Sequence, residues 1–513
     1  MPIRFKTPFI AVAIILLFSF FWGLNKYDHA AVSRITGTAK GPTTYEQTTP
    51  SAASETPIET AVPGVIEQCD APDVGAPVLN VKDWIVPKEF TRAFIQPHWV
   101  DTDAKFSNLE DVSTKVLNDF QPLGSTTNSS RFTSQQPCPN VIDIRVAKDL
   151  AVAGSENLLF GAATTVDRLD RMLPYLLYSF GHTKAHLLVL LPGDTHDIAK
   201  HEARYRARGL NVTLRGSPLA FTARYFGLVE AFIDFIKTTG NDIKWASFID
   251  DDTFFPSLNH IVQKLNKLNH KDRWYIGTHS EASWQVNTFG GIGFGGGGVF
   301  ISRAVLDALI FHYNECQSWG DQPGDQKVAQ CIFKFTNTQL TKWDTLWQMD
   351  MTGTVDGFFE SGRTIDSLHH WSSWYHKDVV NIYSVSPHSG RRGVLRRWKF
   401  DEDVKTDPST NQARRSFWVM TNGYSIVKYS MDANLPAESV DFNKVEKTWN
   451  EDPKGYEARL GPFRARDQEG IKKERYLMTD TFMIGSNIHQ MYTRDKDSER
   501  SMIEIVWLPP VQE

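Results

Sequence analysis

Between Asn157 and Leu268 the hydrophobic pattern of this chain switches period in a regular way, and that alternation constrains the fold more than any other feature. Leu158-Leu159-Phe160-Gly161 is strand-like, and Asp167 to Phe180 carries Leu169, Leu173, Leu176 and Leu177 at helical spacing. His186-Leu187-Leu188-Val189-Leu190-Leu191 is a continuous apolar run stopped by Pro192-Gly193, as expected of a strand buried on both faces. A helix follows near Arg224 to Thr239, with Phe226, Val229, Phe232, Ile233 and Ile236 on one face and Gly240 past its end. Trp245-Ala246-Ser247-Phe248-Ile249 is the next strand, and Leu258, Ile261, Leu265 and Leu268 mark the next helix. Strands alternating with helices predict an open, largely parallel α/β sheet.

The flanks differ. Nineteen uncharged residues run from Thr7 to Asn25, and at about 1.5 Å per residue they nearly span a hydrocarbon core of about 30 Å. Arg4 and Lys6 precede this run, so the positive-inside bias predicts a type II membrane anchor with a luminal body. A cleaved signal peptide is the competing reading, but its only passable site, Ala31-Val32-Ser33, lies several residues beyond the run. Fifteen of the thirty-one residues from Ser33 to Pro63 are Ser, Thr or Pro, a composition for a stem and not for a core. The sequons at Asn128 and Asn211 suit a Golgi (or ER) location. Cys69 to Lys148 reads as loops and short strands, and past Tyr383 short strands such as Phe417–Met420 and Ile503–Trp507 form a β-rich region. With 60 acidic against 55 basic residues and a net charge of −5, the chain has no basic excess for nucleic acid. The cluster Arg391, Arg392, Arg396, Arg397 and Lys399 accordingly reads as a solvated or lipid-facing surface.

Four segments carry candidate chemistry. Asp250-Asp251-Asp252 directly follows a buried strand, and ligands of open α/β sheets bind at the carboxyl ends of strands. Asp250 and Asp252 share one side if the extended geometry persists, and paired carboxylates suit Mn²⁺ or Mg²⁺; a plain acidic turn or helix cap is the alternative. Seven glycines between Gly290 and Gly298 allow close backbone approach to a ligand, or to packed chain. Asp325, after Pro323-Gly324, stands where a helix begins and is a candidate base or an N-cap. His369 and His370, followed by Trp371 and Trp374, are candidate metal ligands beside candidate sugar platforms. Cys316 and Cys331 flank the Asp325 segment, and their pairing would brace it, leaving Cys69 to Cys138 as the other bridge.

The order of these motifs resembles the fringe-like glycosyltransferases of glycosyltransferase family 31. The likeness rests on Asp250-Asp251-Asp252, Gly296-Gly297-Gly298-Val299-Phe300-Ile301-Ser302, Pro323-Gly324-Asp325 and Leu368-His369, preceded by Leu159 to Thr165 and Arg168-Leu169-Asp170. Trp418 to Tyr429 is similar to the extra C-terminal region of plant and fungal members. The resemblance implies a Rossmann-like, A-type glycosyltransferase fold, a UDP-sugar donor, Mn²⁺ (or Mg²⁺), and inversion at the anomeric carbon, with a β-1,3 hexosyl linkage. It implies Asp250, Asp252, His369 and His370 as the metal-side residues and Asp325 as the base. Donor contacts are implied for Thr164, Thr165, Arg168, Asp250, Asp251, Gly296, Gly297 and Gly298. The family's His-x-His is His369-His370-Trp371 here, which leaves open which histidine binds metal.

The expected organisation is therefore tail and anchor at 1–29, stem at 30–67, N-terminal luminal wrap at 68–150, catalytic domain at 151–382 and β-rich region at 383–513. The expected partner is a glycan or glycoprotein acceptor, and the sequence is silent on oligomeric state. A catalytically silent glycan-binding protein and a nucleotide-sugar hydrolase are the rival functions, because the same metal and base could also activate water.

Overall fold

In the computed structural model the central apolar runs become one seven-stranded sheet. The model describes residues 87–512 apart from 103, 123–139, 150, 152, 402–403, 407–410, 451–458 and 497–498. The anchor, the stem, Asn128, Cys69 and Cys138 lie outside the described residues. Among the described residues, no helix is long and apolar enough to cross a membrane.

The strand order is Leu340–Lys342, Tyr275–Gly277, Val299–Ser302, Trp245–Phe248, Leu158–Ala163, His186–Pro192 and Val212–Ser217. Leu158–Ala163 pairs in parallel with both neighbours, as the strand–helix alternation predicts. Val299–Ser302 is antiparallel to both of its neighbours, so the sheet is mixed and not simply parallel. Helices cover both faces. Leu159, Leu188 and Leu190 pack with Phe226, Val229 and Phe232 of the Phe221–Thr239 helix. Phe160, Leu187 and Val189 pack on the other side with Leu169, Leu173 and Leu176 of the Val166–Phe180 helix. Alternate residues of one strand thus serve two cores, which explains why the strands read as unbroken apolar runs.

Among the described residues a second sheet has twelve strands and joins segments from before and after the central sheet in sequence. An antiparallel meander of Ala413–Thr421, Ser425–Asp432, Ile471–Ile484, Asn487–Lys496 and Glu499–Trp507 forms its middle. Pro87–Val100, a strand of 14 residues where short strands were expected, pairs in parallel with Glu499–Trp507 and with Val141–Ala147. Its apolar residues are spread among polar ones because only one side meets the main core, and this hid its length in the sequence. That core, which includes Ile95, Trp398, Tyr476 and Trp507, also holds Phe254, Trp347, Phe358, Leu368 and Trp371 from the segments that build the site.

The basic cluster is a solvated surface only in part: Arg392 is exposed and Arg391 and Lys399 are half-buried, but Arg396 and Arg397 are buried. Arg397 is 2% exposed and donates to the carbonyls of Asn108, Glu360 and Phe442 at 3.1, 3.2 and 3.0 Å. Arg396 is also buried, pairs with Glu110 and donates to the Arg145 carbonyl at 2.7 Å. A guanidinium carries five donors, so it can satisfy several buried carbonyls where irregular segments meet the sheet.

Candidate active site

Three segments far apart in sequence converge at the carboxyl end of the Trp245–Phe248 strand. The Thr253 hydroxyl accepts from the Asp250 N–H at 3.0 Å and donates to the Gly296 carbonyl at 3.0 Å, tying the acidic turn to the glycine turn. Phe254 and Leu368 exchange two backbone hydrogen bonds of 2.9 Å, which brings His369 against the same turn. Ser367 donates to the Gly297 carbonyl at 2.6 Å. A Cβ at Gly296 would run into the His369 ring, so this glycine makes the approach possible.

His369 Nε2 stands 3.0 Å from Asp252 Oδ1 and 3.3 Å from Asp250 Oδ2. Asp250 and Asp252 therefore share one side, as period two predicts, even though the chain has left the strand. Burial opposes a charged ring at His369, yet the Asp252 and Asp250 carboxylates outweigh it and hold the proton well above the usual imidazole range. Burial likewise opposes the Asp252 anion, but His369 and Arg168 hold that carboxyl well below its usual range. Two carboxylates and an imidazole nitrogen thus converge, a donor set of oxygen and nitrogen that suits a first-row divalent cation. Asp252, His369 and His370 each offer a ligand atom within 4.8 Å of the others.

The two histidines differ in their partners. His370, held at φ 53°, has Nε2 3.1 Å from Asp350 Oδ1 and Nδ1 3.1 Å from the Ser373 hydroxyl. Burial and the neighbouring His369 charge both lower its basicity. Both nitrogens of His370 are thus engaged by the protein, whereas His369 Nε2 meets only the two carboxylates and its Nδ1 has no partner. Asp350 was not singled out by sequence; its one signal is a lone carboxylate between Met349 and Met351. Its Oδ2 accepts from Ser280 at 2.5 Å, and its N–H donates to Glu281 Oε2 at 3.1 Å.

Asp325 lies in the first turn of the Gly324–Thr336 helix, but it is not the cap: Pro323 holds that position. Its carboxylate accepts from Gln326 N–H at 2.9 Å and from Gly295 N–H at 3.4 Å, placing it across the glycine turn from the acidic triplet. Burial, then the Asp250 charge, push it up to about 6, and these two backbone donors oppose the rise. A disulfide joins Cys316 to Cys331 around this segment.

Asp251 faces away from the pair. Arg168 Nε and Nη2 grip both of its oxygens, and Thr164 also donates to it. Thr165 caps the Val166–Phe180 helix by accepting from Arg168 N–H. Thr164, Thr165, Arg168 and Asp251 thus form one clamp between the first strand and the acidic turn. Gly297 and Gly298 continue the glycine turn, and the backbone at Gly298 has φ 87°. Of the two tryptophans, Trp371 is fully buried and donates to the Asp252 carbonyl at 2.7 Å, so it cannot serve as a sugar platform. Trp374 is 41% exposed and lies flat on His370 at 4.2 Å.

Residues 213–382 match the protein-family model described as Fringe-like. No curated protein matches the chain. Among solved structures, the chain is similar to mannosyltransferase PcManGT from Pyrobaculum calidifontis in complex with GDP-Man and Mn²⁺. That likeness has 13% identity and a TM-score of 0.27, over 39% of this chain and 57% of the other. A glycosyltransferase involved in the glycosylation of the major capsid of PBCV-1 aligns at 13% identity and a TM-score of 0.25, over 42% and 92%. Mouse xyloside xylosyltransferase 1 in its apo form aligns at 14% identity and a TM-score of 0.24, over 36% and 84%.

Proposed function

We propose that this chain, which carries a Fringe-like domain over residues 213–382, is a metal-dependent inverting glycosyltransferase. The observation that carries the reading is a division of labour among carboxylates. Asp250 and Asp252 bracket the His369 imidazole, while a separate carboxyl, Asp325, is lifted to about 6 across the Gly295 turn. Groups whose surroundings push them apart in this way mark acid–base roles.

The donor is a UDP-sugar, and Asp252, His369 and Asp250 are the residues that would hold Mn²⁺ or Mg²⁺, with His370 beside them. Such a cation, when bound, neutralises charge on a diphosphate leaving group. Asp325 takes the proton from an acceptor hydroxyl as that oxygen bonds to the anomeric carbon. The bond from that carbon to UDP breaks, UDP leaves with the electron pair, and a single displacement inverts the centre. The acceptor is a hydroxyl of a glycan or glycoprotein, and the linkage expected is β-1,3 from a hexosyl donor.

UDP release from a panel of UDP-sugars with Mn²⁺ tests this reading. Release that requires acceptor supports transfer, release without acceptor indicates a hydrolase, and no turnover indicates a silent glycan binder. Asp252→Ala is expected to abolish Mn²⁺-dependent UDP binding. Asp325→Asn is expected to keep UDP binding and to lose transfer by about 10²- to 10⁴-fold; full transfer by this variant would remove Asp325 from the role. We also place the chain in Golgi (or ER) membranes as a type II protein. In sealed microsomes, residues beyond about Ser33 should resist external protease.

A further inference from the structure

Besides His369 Nδ1, the Tyr225 hydroxyl is a buried polar atom beside the acidic turn that has no hydrogen-bond partner. Tyr225, in the Phe221–Thr239 helix, is 5% exposed, and its hydroxyl is buried without a hydrogen bond. Its ring presses on Gly324, immediately before Asp325, where any Cβ would strike the ring atoms. Its hydroxyl lies beneath Gly295, where it occupies the place a Cβ would take. Asp250 Oδ1 comes within 3.6 Å of that same point, while Asp250 Oδ2 faces His369 at 3.3 Å. A buried hydroxyl left unpaired is costly, and phenylalanine would fill the same space without that cost. Gly324 and Gly295 make room for the ring and its hydroxyl, which ends near Asp250 Oδ1.

We propose that Tyr225 is a positioning residue for Asp250, its hydroxyl donating to Asp250 Oδ1 in the loaded site and leaving Oδ2 to face the cation. This rests on the metal-binding reading of Asp252 and His369. Outer partners of this kind orient a ligating carboxylate, and their removal typically weakens metal binding by about 10- to 100-fold.

Calorimetric titration of the full-length chain with Mn²⁺ alone, without nucleotide, tests the idea on wild type, Asp252→Ala and Tyr225→Phe. Tyr225→Phe is expected to lose about 10- to 100-fold in Mn²⁺ affinity. Its metal-free form is expected to melt no lower than wild type, a combination that a merely structural hydroxyl would not give. Gly295→Ala, whose methyl claims the hydroxyl's place, is a second variant expected to weaken Mn²⁺ binding. If Asp252→Ala loses Mn²⁺ while Tyr225→Phe binds it like wild type, the Tyr225 role fails and the metal site stands. If Asp252→Ala binds Mn²⁺ normally, or wild type does not bind it, the metal site falls and the Tyr225 role with it. A lower melting temperature for metal-free Tyr225→Phe would show a hydroxyl already bonded, and would also overturn the role.

Discussion

Asp325, the proposed base, illustrates how burying a carboxyl can oppose stability. Its carboxyl rises from an ordinary 3.8 to about 6 through burial and the Asp250 charge, with Tyr225 and Tyr275 also facing it. Between those two values the folded chain binds more protons than the unfolded chain, so this residue's contribution falls as pH rises through the window. Asp325→Asn removes the titration. The variant is expected to gain melting temperature over wild type at pH 7, and to gain little at pH 4. Transfer by wild type should climb as pH passes about 6, since only the ionised carboxylate accepts a proton. Thermal melts at the two pH values, beside a pH–rate profile, check both statements; equal gains at both would remove the titration argument. Gly296 is the companion case. Gly296→Ala is expected to lose Mn²⁺-dependent UDP binding, because the added methyl would displace the His369 ring.

Among the elements, the helix Gly324–Thr336 carries Asp325, and the Cys316–Cys331 bridge ties it to the helix Tyr313–Gln317. With a sequence separation of 15, the chain-entropy model gives the crosslink about 3 kcal/mol. Replacing both cysteines by serine should lower unfolding free energy by about that amount in urea. UDP binding should survive, because Asp252 and His369 sit on other segments. The clamp offers a second test at this scale. Asp251 is buried and accepts from Arg168 and Thr164, so Asp251→Leu strands the buried Thr164 hydroxyl, while half-exposed Arg168 turns to water, and should cost about 1–3 kcal/mol in the same assay. An unchanged midpoint would reduce the clamp to a surface pair. These elements were legible because their signals are local: Val166–Phe180, His186–Pro192 and Phe221–Thr239 repeat their apolar residues at the period of the structure they form.

At the scale of the whole molecule, the segments that build the site share their core with the twelve-stranded sheet. Phe254, Trp347, Leu368 and Trp371 pack in one cluster with Trp398, Trp418, Tyr476 and Trp507. Charge crosses the same boundary. Arg475 Nε meets Glu360 Oε1 at 2.8 Å, its Nη2 meets Glu446 Oε1 at 3.2 Å, and Arg459 Nη2 meets Glu281 Oε1 at 3.3 Å. A fragment of residues 151–382 is therefore expected to be insoluble or molten, which dye binding and near-UV dichroism would reveal. A soluble, cooperatively melting fragment would show that the two parts fold independently. Arg475→Ala in the full chain leaves buried Glu360 without its cation, while Glu446 keeps Arg464 and Lys473, and should cost about 3–5 kcal/mol.

The sequence by itself determined the α/β alternation, the acidic triplet at a strand end, the glycine turn and the Asp325 helix, because each is written in neighbouring residues. It also anticipated Asp250 and Asp252 on one side, although what holds them there is a turn tied by Thr253 to Gly296 and not extended alternation. Tertiary structure alone decided that Asp251 belongs to Arg168, that His370 belongs to Asp350, and that Trp371 is buried while Trp374 is exposed. It alone joined Pro87–Val100 to Glu499–Trp507 and set the Tyr225 hydroxyl beneath Gly295. The physical reason is that periodicity reports which face of an element is apolar, whereas the partner of a buried polar atom depends on where distant segments of the chain come to rest.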